Sequence, residues 1–154
     1  MNLSAILKSE AVKVIGSASS KKRLLHDLGE LASGAYGLEA GLVVEALMER
    51  ENLGPTGVGH GVALPHARLD GIDDVRGVFI LLEKPVDFDS LDRQPVDLVF
   101  GLLAPKDAGV EHLKALAQVS RTFRDPAMCK KLRSNDDPAT LYAILTSDQD
   151  MQAA

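Results

Sequence analysis

Ten consecutive residues near the middle of the chain, Asn52-Leu53-Gly54-Pro55-Thr56-Gly57-Val58-Gly59-His60-Gly61, hold four glycines and a proline. No helix or long strand runs through such a stretch. It must be a loop with unusual backbone angles, or a place where main chain comes close to something else. It therefore divides the chain into two parts with different patterns.

Before the loop the apolar residues follow helical spacing. Residues 12–15 form a short apolar run that reads as an edge strand. Ser19 and Ser20 offer N-caps, and Leu24, Leu25, Leu28, Leu31 and Ala32 then recur at the period of a helix, with Gly34 as its expected stop. A second helix is predicted over 38–51. Leu42, Val43, Ala46 and Leu47 make its buried face, and Glu49, Arg50 and Glu51 end it on polar ground.

After the loop the pattern turns to strands. Residues 62–64 read as a short strand halted by Pro65, whose fixed φ stiffens the approach to His66. Residues 75–82 and 96–103 read as strands, the second deeply buried. Between them, 83–95 holds two prolines and three aspartates, which predicts a surface excursion with room for one more short strand. A third helix is predicted over 110–124, with Leu113, Leu116, Ala117, Ser120 and Phe123 on its inner side. Asp125-Pro126 and Asp137-Pro138 each place a capping Asp before a Pro at the first helical position. Two short helices should follow, the second turning Leu141, Ile144 and Leu145 inward, and 148–154 are expected to fray. Helices before, between and after strands predict an α/β fold around a mixed sheet. With 154 residues, no internal repeat and no linker, one domain spanning 1–154 is expected, its core about 3–145.

Composition narrows the function classes. With four Phe, two Tyr and no Trp, the core is expected to be aliphatic. A single cysteine, Cys129, allows no internal disulfide and fits a reducing cytoplasm; burial as a small hydrophobe is its expected state. Residues 1–10 lack a basic start followed by an apolar run, so no signal peptide is expected there. The longest apolar run, 98–105, is far short of the roughly 20 residues that cross a bilayer. The net charge is −5, and the basic clusters Lys21-Lys22-Arg23 and Lys130-Lys131-Arg133 are not interleaved with aromatics, so nucleic acid is not an expected partner.

The spacing Gly57-x-Gly59-x-Gly61 has the look of a dinucleotide-binding turn, but it follows a helix, and Val62 stands where the third glycine is required. The other use of such a loop is to present a reactive side chain. His66 lies between rigid Pro65 and small Ala67, which leaves an imidazole accessible to a large partner. With an ordinary pKa of about 6.5, most of such a ring is neutral near pH 7, and one nitrogen lone pair can then attack phosphorus. His66 equally reads as a histidine that hydrogen-bonds at a strand end. Arg50, at the end of the second helix, has a fork suited to phosphate oxygens, or is a solvated arginine at a helix C-terminus. His112, in the first turn of the third helix, is a candidate donor to phosphate, kept neutral by the helix start, or a surface histidine. His26 reads as solvent-facing. His60, His66 and His112 raise zinc, but without a cysteine partner or a helical His-x-x-x-His no metal is expected. Asp87, Asp89 and Asp92 lack calcium-loop spacing and read as a solvated acidic turn.

The segment from Glu51 to Ala67 resembles the phosphorylation-site signature of the mannitol/fructose-type IIA components of the bacterial phosphotransferase system. Glu51, then Val58-Gly59, then Val62-Ala63-Leu64-Pro65-His66-Ala67 match in order and spacing. Gln94-Pro95-Val96-Asp97-Leu98-Val99-Phe100, Leu102-Leu103-Ala104-Pro105 and His112-Leu113 are also similar, so the resemblance spans nearly the whole chain. It implies a mixed sheet flanked by helices on both faces and phosphorylation of His66 on Nε2 by a histidine-phosphorylated, HPr-like carrier protein. It implies support of the phosphate by Arg50 and His112, no cofactor, and a phosphotransferase component working through a phosphohistidine. His60 falls at a variable position and takes no role. Because the chain stands alone, without room for a permease, the nitrogen-regulatory branch is the nearer likeness. That branch implies regulatory target proteins, with outputs in nitrogen metabolism and potassium transport. The rival is a sugar-specific soluble IIA that passes phosphate to a IIB component. Amides of Gly57 to Gly61 are expected to add donors, and Ala63, Leu64 and Leu69 to form an apolar collar for docking.

Overall fold

The computed structural model of the chain describes residues 2–147; the expectation for 148–154 lies outside them. A short 3-10 turn, Leu3–Ala5, leads into strand β1 (Leu7–Ile15) and two helices, α1 (Lys21–Tyr36) and α2 (Ala40–Leu53). Three short strands follow, β2 (Gly57–Gly59), β3 (Val62–Ala63) and β4 (His66–Leu69), then two long ones, β5 (Arg76–Val86) and β6 (Val96–Pro105). Helices α3 (Val110–Arg124), α4 (Pro126–Arg133) and α5 (Pro138–Thr146) close the described chain. The strands form one mixed sheet in the order β1-β5-β6-β3-β2, with β4 also paired to β6.

β5 and β6 are the antiparallel centre of the sheet, and their apolar runs are buried on both faces. Register shows why. Phe79 faces Phe100, and both rings meet Phe123 of α3, with centroids 5.9 and 5.7 Å away. The next pair, Val78 and Gly101, points to the opposite face, where Leu28 of α1 packs. Helices therefore cover both faces of the mixed α/β sheet, as expected. The core is less aliphatic than composition implied: Phe79, Phe88, Phe100 and Phe123 are all buried. Fully burying one such side chain stabilises the fold by roughly 1.5–3 kcal/mol.

β1 is an edge strand but starts at Leu7 rather than at residue 12, and pairs in parallel with β5. α1 starts where predicted, with the Ser20 hydroxyl accepting from Arg23 N at 3.1 Å. It does not stop at Gly34. It runs on to Tyr36, whose hydroxyl donates to Gly77 O (2.7 Å) and accepts from Lys8 N (3.1 Å), and it ends at Gly37 with φ +70°. Those tertiary bonds outweigh the modest helix penalty of one exposed glycine.

α2 buries Val43, Val44 and Leu47, while Leu42 is exposed. Its last turn is not all solvated. Glu51 is buried, accepts from the amide and hydroxyl of Thr56, and pairs with Lys21 Nζ at 2.8 Å. An acid can be buried there because every partner it needs is supplied.

The predicted inner face of α3 is turned by about one residue. His112, Ala115, Val119, Thr122 and Phe123 are buried, and Leu113 is exposed. The excursion after β5 forms no strand, and it is not all surface, since Phe88 is fully buried beneath the Lys21 ammonium, 4.7 Å from its ring centre. Both Asp-Pro caps form: Asp125 accepts from Ala127 N and Asp137 from Thr140 N. Leu141 and Leu145 of α5 are buried, and Ile144 packs partly buried against the core. No helix among the described residues is long and apolar enough to cross a membrane.

Candidate functional site

The residues that flank Pro65 belong to one interrupted strand. β3 pairs in parallel with β6 through Val62–Leu98 and Ala63–Val99. β4 resumes through His66–Leu102 and Ala67–Leu103, at the same offset of 36 residue numbers. Only Leu64 and Pro65 leave the ladder. Pro65 has no N–H to give, although its carbonyl still accepts from Leu102 N at 2.9 Å. The Leu64 carbonyl instead meets the ring of His66, with Nδ1 2.9 Å away.

His66 thus opens β4, half-buried, with its ring held by the main chain two residues behind it. Arg50 approaches the other side. Its Nε lies 3.3 Å from His66 Nε2, and its Nη1 donates to Gly54 O at 2.8 Å, at the C-terminal cap of α2. A guanidinium has donors only, so Nε2 must be the acceptor and carry the lone pair. The proton then sits on Nδ1 and is given to the Leu64 carbonyl. Partner chemistry alone fixes this tautomer.

His112, the third residue of α3, comes within 6.0 Å of His66 between ring centroids, tilted by 47°. It is not a surface histidine: it is 6% exposed, and its Nδ1 is buried with no hydrogen-bond partner among the described residues. Burial pushes its pKa below the usual 6.5, with the Arg68 cation and then His66 acting in the same direction. A neutral His112 keeps one N–H available as a donor.

These side chains share a hollow of about 690 Å³, into which Arg50, His66, Arg68 and His112 all open. Arg68 was missed in the sequence. It stands two residues after His66 on β4 and so on the same face of the strand, a signal that needed the strand to be recognised. Its Nη1 also donates to Lys106 O at 3.2 Å. Two expected contributions, the glycine-loop amides and the apolar collar, lie elsewhere. Gly57 to Gly61 form a β2–β3 hairpin whose tip, Val58 to His60, lines a different hollow against α3 and α4. His60 and Gly61 are its two-residue turn, with φ +57° and +79°, the sign pattern of a type I′ hairpin. Its amides therefore belong to the turn: His60 N donates to the Asp92 carboxylate at 2.9 Å, so Asp92 is a tether rather than part of a merely solvated turn. Ala63, Leu64 and Leu69 are buried in the core and cannot form a collar. The exposed apolar side chain at the hollow's rim is Leu53, 85% exposed; Leu113, next to His112 in sequence, is 62% exposed on α3.

The remaining candidates are bystanders. His26 is exposed on α1. Cys129 is buried, donates from Sγ to Phe123 O, and burial pushes its thiol pKa up, away from reactivity. Among the described residues no group of three or more His, Cys, Asp or Glu is placed to hold a metal ion.

Comparison with known proteins agrees with this fold. The family model described as "Phosphoenolpyruvate-dependent sugar phosphotransferase system, EIIA 2" matches residues 5–148. A nitrogen regulatory protein of Bradyrhizobium diazoefficiens is 43% identical over 145 residues, which cover 94% of this chain and 95% of that protein. The nitrogen regulatory protein of Escherichia coli K12 is 40% identical over 151 residues, covering 97% of this chain and 92% of its own. Among solved structures, the nitrogen regulatory protein IIA-Ntr of Neisseria meningitidis matches with a TM-score of 0.86 at 37% identity, over 94% of this chain and 99% of that one.

Proposed function

The chain belongs to the EIIA 2 family of the phosphoenolpyruvate-dependent sugar phosphotransferase system, and from that premise we propose that it accepts a phosphoryl group on Nε2 of His66 from a histidine-phosphorylated, HPr-like carrier protein. By its phosphorylation state it then regulates target proteins of nitrogen metabolism and potassium transport. The nitrogen-regulatory naming of relatives that match along nearly their whole length supports the regulatory part. The family match across residues 5–148 supports treating the chain as one EIIA 2 domain, working in the cytoplasm.

One observation carries the chemical part. The two ring nitrogens of His66 have opposite tasks, Nδ1 tied to the Leu64 carbonyl and Nε2 turned to Arg50 in an open hollow. In the transfer, the Nε2 lone pair attacks phosphorus. The P–N bond to the carrier's imidazole breaks, and its electron pair returns to that ring. The Nδ1 proton stays on Nδ1 throughout, donated in a hydrogen bond to the Leu64 carbonyl. Arg50 moves its donor from Nε2 to the phosphoryl oxygens, Arg68 adds positive charge, and neutral His112 gives an N–H to the same oxygens. Such preorganised charge and hydrogen bonding do most of the work in phosphoryl transfer. Leu53 and Leu113 supply an apolar rim that a docked carrier covers, which excludes water.

The test is incubation with the phosphoenolpyruvate-fed carrier system. Wild type is expected to gain acid-labile, base-stable label on the peptide that holds His66. His66→Ala is expected to fold normally and gain none; labelling of that variant at the wild-type rate would overturn the assignment. Drainage of the label by a cognate IIB protein would replace the regulatory reading with that of a sugar-specific IIA.

A further inference from the structure

A second hollow, about 800 Å³ in volume, lies between the β2–β3 hairpin and helices α3 and α4, and nothing in the proposed transfer uses it. Its walls combine two chemistries. Val58, Phe123 and Cys129 give it apolar surface, and Val58, half-exposed at the hairpin tip, has its side chain open to solvent there. Arg124, Lys130 and Arg133 give it positive charge, and no Asp or Glu lines it, although the chain as a whole has 22 acidic residues against 17 basic ones.

The three cations differ in availability. Arg133 is committed. Its fork holds the Asp97 carboxylate at 2.9 Å through both Nε and Nη2, and Nη2 also donates to His60 O at 2.8 Å, which pins the hairpin to α4. Arg124 and Lys130 have no ion-pair partner among the described residues. The hairpin is therefore held rigidly to α4, while Arg124 on α3 and Lys130 on α4 offer two unneutralised charges. The Ser120 side of α3 adds a hydroxyl-bearing edge.

We propose that this hollow is a binding site for a small molecule that carries a carboxylate or phosphate on an apolar body. Its volume falls in the range of roughly 300–1,000 Å³ typical of small-molecule sites. A bare inorganic anion would leave the Val58–Phe123 surface wet. A neutral apolar molecule would bring Arg124 and Lys130 next to low-dielectric material with no counter-charge. An amphipathic anion satisfies both walls, with its anionic oxygens on Arg124 and Lys130 and its body against Phe123 and Val58.

The test is a nuclear magnetic resonance titration of the full chain with four probes: phenyl phosphate, phenylacetate, inorganic phosphate and benzyl alcohol. Amides of 58–60 and 120–134 are read separately from those around His66, where phosphate is also expected to bind. Phenyl phosphate or phenylacetate is expected to saturate the first set, with inorganic phosphate and benzyl alcohol each weaker by about tenfold or more. Arg124→Glu combined with Lys130→Glu is expected to weaken that binding by about tenfold or more and to leave the His66 set unchanged. Should the double variant not fold, Lys130→Gln alone is read for a smaller loss in the same direction. The proposal is overturned if neither organic anion gives saturable shifts in the first set up to about 20 mM. It is also overturned if benzyl alcohol or inorganic phosphate binds there as tightly, or if the charge variants bind undiminished.

Discussion

Replacing Arg50 separates charge from geometry at the proposed site. Arg50→Lys keeps the positive charge but loses the planar fork that reaches Gly54 O and His66 Nε2 together. The rate of phosphoryl acceptance is expected to fall about 10-fold in the lysine variant and about 10²-fold or more in Arg50→Ala, with urea midpoints little changed. Label uptake under single-turnover conditions measures both. His112 makes a prediction about pH. Its folded pKa lies below the ordinary 6.5 because it is buried beside Arg68 and His66, so as pH falls the unfolded chain takes up this proton first. The contribution of neutral His112 to stability is full above the ordinary value and is lost as pH drops through the lower folded one. Against a non-titrating His112→Gln, wild type is expected to lose ground between about pH 7.5 and pH 5, read as the difference in urea midpoints. A rising difference would contradict it. At this scale His66 was legible because its small and rigid neighbours are adjacent in sequence. Arg68 was not, since its place beside the ring depends on a strand that only tertiary pairing creates.

The contact between α1 and α2 rests on one residue without a side chain. A Cβ at Gly29 would meet Val44 Cγ2 at 2.5 Å and Ala40 O at 3.0 Å, whereas a Cβ at Gly34 meets nothing within 4 Å. The same substitution should therefore have opposite signs five residues apart. Gly29→Ala is expected to destabilise by about 1–3 kcal/mol through overpacking, and Gly34→Ala to stabilise by about 0.5–1 kcal/mol through helix propensity. Denaturant unfolding of the two variants checks both. Elements with caps or long apolar runs were readable: Ser20, Asp125 and Asp137 cap as their sequence contexts imply, and α3 has the predicted bounds. The faces of α2 and α3 were not. Periodicity ranks residues by hydrophobicity, but α3 buries His112 beside His66 and Thr122 with its hydroxyl on Gln118 O, and leaves Leu113 outside. A helix that buries polar groups rotates the apparent stripe.

The whole molecule decides where the His66 ring stands. The mixed sheet and its two central strands were legible from apolar runs of strand length. The attachment of β3 and β4 to one edge of β6 was not, because parallel pairing carries no local turn signal. Yet that pairing makes a sharp prediction. One residue inserted between Ala63 and Leu64 breaks the shared offset of β3 and β4, so that either β4 slips along β6 or His66 turns to the other face. Label uptake is expected to fall at least about 10²-fold. One residue inserted at the hairpin turn, between His60 and Gly61, is expected to leave uptake within about twofold. Equal losses from the two insertions would refute this. The two-residue gap at Leu64 and Pro65 thus acts as punctuation that does not change the reading frame. The ring takes its coordinates from β6, buried at every position but Asp97, and a change in the length of the neighbouring hairpin turn need not redirect Nε2.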